Sequence, residues 1–93
     1  MRLEWDEQKN QLNIEKHGLD FADSHKVFAG PMLIQLDTRY EYGEDRWVGI
    51  GFLNHLVVVV VYTEQEQGEI IRIISMRKAL NYERRRFEES ITD

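Results

Sequence analysis

The sequence predicts an α+β domain, ordered (β)ααββββα, in which a small antiparallel sheet is packed by helices. Three observations point there: a capped polar helical segment near the start, four β-patterned runs separated by turn residues, and a charged helical stretch at the end. Ninety-three residues, 42% hydrophobic and 31% charged, make a single domain over 1–93, near the smallest size that one core stabilises unaided.

Arg2 to Trp5 is a short possible strand. Asp6 then has the chemistry of an N-cap, its carboxylate accepting the first free amides of a helix over Glu7 to Lys16. Leu12, with Ile14 close by, is expected to supply the apolar contact. Lys16-His17-Gly18 ends the segment with cations over the helix C-terminus and a glycine at C′. Asp20 is placed to cap a second short helix with Phe21, Val27 and Phe28 as its buried stripe, and Gly30-Pro31 breaks it.

Met32 to Asp37 alternates as a strand does, and Thr38 to Asp45 forms a polar hairpin region around Gly43. Arg46 to Phe52 and Leu56 to Thr63 read as the next two strands, joined by a tight turn at Leu53-Asn54-His55. The unbroken LVVVVVY of Leu56 to Tyr62 predicts a strand covered on both faces and central in its sheet. After a turn at Gln65 to Gly68, Glu69 to Ser75 is the fourth strand, and a last helix runs from about Met76 to Glu89.

Cysteine is absent, which excludes disulfides and thiolate metal sites. MRLEWDEQKN has no apolar stretch of the signal-peptide kind, and the expectation is a cytoplasmic protein. Net charge is −5, but its distribution is uneven. Met1 to Glu69 holds six basic and thirteen acidic residues, whereas Ile70 to Glu88 holds six basic and two acidic. A basic patch on an acidic body grips an anion locally while discouraging loose binding along a polyanion.

Within that basic segment, Ser75 is a candidate N-cap that puts Arg77 and Lys78 in the first helical turn. The helix dipole disfavours cations there, whereas free amides at that end favour an anion. A phosphate would convert the two cations into ligands; the alternative is two side chains extended into solvent. Arg72, in a strand of isoleucines, shares a face with Ile70 and Ile74 by alternation. It must be paired, with a helix carboxylate such as Glu83, reach a rim or line a cleft. Arg84, Arg85 and Arg86 cannot all face inward beside Phe87, and Arg84–Glu88 suits an i,i+4 pair on a solvated face. His17 fits a helix C-terminus and could equally carry protons, while His25 and His55 read as surface residues. No metal-ligand spacing, nucleotide-cradling glycine loop or Ser/His/Asp order is found, so neither cofactor nor metal is expected.

Two motifs together, W5-D6-x-x-K9-x-x-x-N13-x-x-K16-H17-G18 and R72-I73-I74-S75-x-R77-K78-A79-x-x-x-E83-R84-R85-x-F87-E88, resemble the BrnT family of toxins from type II toxin–antitoxin systems. The likeness continues through Phe21, Val27-Phe28, Gly43-Glu44, Arg46, Ile50-Gly51 and Thr63-Glu64, so it spans nearly the whole chain. The stretch Leu80 to Tyr82 is less basic than is usual in that family. The resemblance implies a fold related to the RelE-type ribonuclease toxins. It further implies a metal-independent ribonuclease that halts translation, and a BrnA-like antitoxin that neutralises it and represses their shared operon.

Such an enzyme uses the RNA 2′-OH as nucleophile, so the protein must orient it, stabilise a dianionic phosphorane and help the 5′-oxygen leave. Cationic donors supply the electrostatic part and a proton carrier the rest. The residues expected to act are Arg72, Arg77 and Lys78 around the phosphate, with His17 or Glu83 as proton carrier. Lys16, Arg84 and Arg85 are expected to bind RNA. The competing reading is a non-enzymatic module whose basic helix docks on a protein or nucleic acid.

Overall fold

Asp6 opens the first helix as its position predicts, its Oδ1 accepting from the amides of Gln8 (2.9 Å) and Lys9 (3.2 Å). The structure, a computed structural model, describes residues 1–92. Helix α1 spans Glu7–His17 and closes at Gly18, whose φ of 71° lets its amide reach back to the Ile14 carbonyl at 2.8 Å. A short 3-10 turn, Phe21–Asp23, capped by Asp20, leads into α2, Ser24–Phe28.

Strands β1 (Arg2–Trp5), β2 (Met32–Leu36), β3 (Trp47–Leu53), β4 (Leu56–Gln65) and β5 (Ile70–Lys78) make one sheet in the order β1-β5-β4-β3-β2. The valine-rich β4 is central, as its unbroken apolar run predicts. The sheet is mixed rather than wholly antiparallel: β1 lies parallel to β5, with Arg2 opposite Ile70 and Trp5 opposite Ile73. That pairing carries Leu3 and Trp5 onto the core beneath the first two helices.

Alternation along the strands divides the core in two. One face turns Val58, Val60, Tyr62, Ile71, Ile73 and Met76 towards Phe21 and Val27. Here Gly51 makes room for α2, since a Cβ would meet Val27 Cγ1 at 3.0 Å and the Pro31 carbonyl at 3.1 Å. The other face presents Ile50, Val57 and Val59 to Phe87 of α3 (Asn81–Ile91), and Phe87 meets Phe52 edge-on at 5.0 Å. Helix α3 covers only one end of this face. Val61, on the same face of β4, stays half-exposed.

The expected boundary between the last strand and helix is corrected. Ser75 caps no helix; it pairs with Val61 inside β5, and Arg77 and Lys78 pair with Val59 and Val58. The ladder persists to Ala79, whose amide donates to the Val57 carbonyl at 2.9 Å. Helix α3 begins at Asn81, so Arg77 and Lys78 are strand residues away from any helical first turn. Long β4 offers hydrogen-bond partners that local helix propensity cannot outweigh. A register shift between Val61 and Tyr62 also interrupts alternation near Ile74, so Arg72 keeps Ile70 but not Ile74 as a regular same-face neighbour.

The docking of α1 is corrected too. Leu12 is 65% exposed, and the buried residues of this helix are Asn10 and Asn13. Asn10 donates to Asp20 Oδ1 and accepts from the Phe21 amide, each at 2.9 Å. Asn13 donates to the Leu19 carbonyl (3.0 Å) and the Met76 carbonyl (2.9 Å), and accepts from the Met76 amide (3.2 Å). The register of β1 against β5 ends at Ile73. Beyond it the Asn13 carboxamide, one donor group and one acceptor, takes the place of a neighbouring strand's peptide group.

Candidate functional site

Asn13 anchors the last turn of α1 against β5. Lys16 and His17 lie three and four residues further on, hence on the same side of the helix, and meet the end of that strand. Lys16, His17, Arg77, Lys78 and Leu80 line one open hollow of about 590 Å³. Two segments some sixty residues apart in sequence thus bring together three fixed cations and an imidazole. Lys16 and His17 are the basic residues of the last turn of α1.

Arg77 reaches the hollow from a fixed position. Its Nη1 and Nη2 donate to Glu83 Oε1 (2.8 Å) and Oε2 (2.9 Å), a bidentate pair. Glu83 Oε1 also accepts the Leu80 amide at 2.8 Å, closing the start of α3. The anion expected at this helix start is therefore provided by the chain itself. Hydrogen bonding from Arg77 holds the Glu83 carboxyl below its usual range, against the opposing effect of burial, and Glu83 in turn raises Arg77. An ionised carboxylate with both oxygens engaged is poorly suited to carry protons.

The remaining expected residues lie apart from the hollow. Arg72 contacts Glu4, its neighbour on β1, at 3.4 Å rather than Glu83. Arg84 and Arg85 are exposed on α3, with Arg84 at 3.4 Å from Glu88. His25 Nδ1 contacts the Ala22 carbonyl at 2.9 Å, and His55 is exposed in the β3–β4 turn.

A second concavity shares Arg77 and adds Asp37, Arg39 and Tyr82, to which the sequence motifs assign no role. On the partly covered sheet face, Arg39, Arg77, Tyr82 and Arg86 surround a groove of about 380 Å³ floored by Leu33, Val48 and Val61. Asp37 sets one wall of it. Its buried carboxylate receives the Arg39 amide (3.1 Å), Nε (3.0 Å) and Nη2 (3.0 Å), and the Tyr42 hydroxyl (3.1 Å). Those contacts, Arg39 foremost, hold the Asp37 carboxyl far below the carboxylate range despite its desolvation. The Asp-x-Arg spacing was the available signal, since an aspartate readily turns the chain two residues on. Arg46 stacks over the Tyr42 ring at 4.0 Å and firms the same loop.

Among the described residues, no group of three or more His, Cys, Asp or Glu side chains is placed to hold a metal ion, and no helix is long and apolar enough to cross a membrane. Comparison with known proteins finds likeness both to a family model and to a solved structure. A family model described as the ribonuclease toxin BrnT of type II toxin–antitoxin systems matches residues 5–83. The 1.1 Å crystal structure of the Brucella abortus ribonuclease toxin BrnT is similar at 35% identity over 87% of this chain and 99% of that one, with a TM-score of 0.67. No match was found among curated proteins.

Proposed function

The chain belongs to the BrnT family, the ribonuclease toxins of type II toxin–antitoxin systems, and from that premise we propose that the hollow at the end of β5 cleaves RNA without a metal. RNA carries its own nucleophile in the 2′-OH. Attack on the adjacent phosphorus builds a dianionic phosphorane and expels the 5′-oxygen, leaving a 2′,3′-cyclic phosphate and a 5′-hydroxyl. Lys16, Arg77 and Lys78 stabilise the developing charge, typically the largest electrostatic contribution. His17 moves the proton, because an imidazole can take or give one near neutral pH. Glu83 acts through Arg77, as a positioning residue that aims the guanidinium, and Arg72 takes no part in the chemistry.

The observation that supports this reading is the convergence of Lys16, His17, Arg77 and Lys78 on one hollow. The partner is a BrnA-like antitoxin that neutralises the toxin in a complex and represses their operon, and the site of action is the cytoplasm, where RNA cleavage arrests translation. Controlled expression in bacteria tests this. The wild type is expected to halt growth with loss of cellular RNA, and co-expression of a cognate BrnA-like antitoxin to restore growth. Lys16→Ala and Arg77→Ala chains that accumulate in folded form are expected to be harmless. Arrest by both variants equal to that by the wild type would refute the assignment.

A further inference from the structure

The groove on the partly covered sheet face is not needed for the phosphate chemistry, yet it shares Arg77 with the catalytic hollow. Its volume of about 380 Å³ falls in the range of pockets that hold small ligands. The floor is apolar, because Leu33, Val48 and Val61 on this sheet face are only partly covered. The rim carries three guanidiniums against two carboxylates, Asp37 and Glu83, and so keeps a surplus positive charge. Arg39 is paired with Asp37 and Arg77 with Glu83, whereas Arg86 has only a long contact, 3.4 Å to Gln35 Oε1. Tyr82, at the start of α3, is 58% exposed on the same rim. An apolar floor, an exposed aromatic ring and surplus guanidinium donors together match the flat face and the phosphate of one nucleotide.

We propose that this groove binds the nucleotide next to the scissile phosphate, its base against Tyr82 over the Val48 and Val61 floor, with Arg39 and Arg86 on the flanking phosphate. This inference rests on the RNA-cleaving reading of the adjoining hollow. A strand held at Arg77 passes directly from one concavity to the other.

A short oligonucleotide made uncleavable by 2′-O-methyl groups tests it, with an abasic site moved along its length and binding followed by fluorescence anisotropy. For the wild type, one abasic position is expected to weaken binding roughly tenfold, in line with the loss of one base–aromatic stack. Tyr82→Ala should weaken the intact oligonucleotide to a similar degree and erase the effect of that abasic position. Arg86→Ala should flatten the salt dependence of binding. The proposal is overturned if no abasic position matters, if the Tyr82 and abasic losses simply add, or if the variants lose antitoxin binding while holding RNA like the wild type. That last outcome would assign the groove to the protein partner. Coupled binding without cleavage of the all-ribose oligonucleotide would support the groove and sink the nuclease reading; cleavage without coupling would do the reverse.

Discussion

Asn13 and Met76, sixty-three residues apart, are joined by two hydrogen bonds that run in opposite directions. Through them the polar helix α1 is fastened to β5 at the point where its cations must meet those of the strand. Removing the carboxamide orphans the buried Met76 amide, and an unsatisfied buried group costs about 1–3 kcal/mol. Asn13→Ala is therefore expected to lower unfolding stability by at least that much in urea titrations. Leu12→Ala, one residue earlier and exposed, should change it by less than about 0.5 kcal/mol. Equal losses would mean that apolar packing, not the asparagine clamp, docks the helix.

Glu83 separates two roles that sequence leaves together. If it positions Arg77, Glu83→Gln keeps one oxygen and the shape, and cleavage should fall moderately. If it carried the proton, the loss would reach about 10²–10⁴-fold. Stability reports on the same pair. The Glu83 carboxyl is lowered in the folded state, so its contribution is complete above the unfolded carboxyl value and fades as pH drops through the folded one. At neutral pH, Glu83→Gln should cost about 1–3 kcal/mol, and the difference from wild type should shrink in acid. A gap that stays constant down to strong acid would contradict the ionised pair.

Asp37 should behave similarly but persist further into acid, since its carboxyl is held lower. Asp37→Asn weakens the grip on Arg39, an exposed partner, so the stability loss is expected to be only about 1 kcal/mol. Its larger effect falls on the loop. Proteolysis between Thr38 and Asp45 should speed up in the variant at neutral pH. A wild-type loop cut as quickly as the variant's would show that Asp37 does not organise it.

Much of this fold is legible in local chemistry. Asp6 and Gly18 bound α1 because caps act within a turn of themselves, and the valine run marks a central strand because both its faces need covering. The end of β5 is not legible. Ser75 followed by Arg77 and Lys78 has the composition of a helix start, and only the partners on β4, far away in sequence, decide for strand. The same holds for the parallel pairing of β1 and for Asn13, whose carboxamide finds its partner in Met76. Lys16, His17, Arg77 and Lys78 could be named from sequence, whereas the capture of Arg77 by Glu83 and the groove beside it depend on that shifted boundary.

The most direct test of the central claim uses one defined RNA oligonucleotide, purified wild-type protein and excess chelator. Cleavage is expected to continue in chelator, to yield 2′,3′-cyclic phosphate and 5′-hydroxyl ends, and to stop when the single ribose at the cut site is replaced by 2′-deoxyribose. Cleavage of that substituted oligonucleotide at the same bond, or a strict requirement for added divalent metal, would contradict the account.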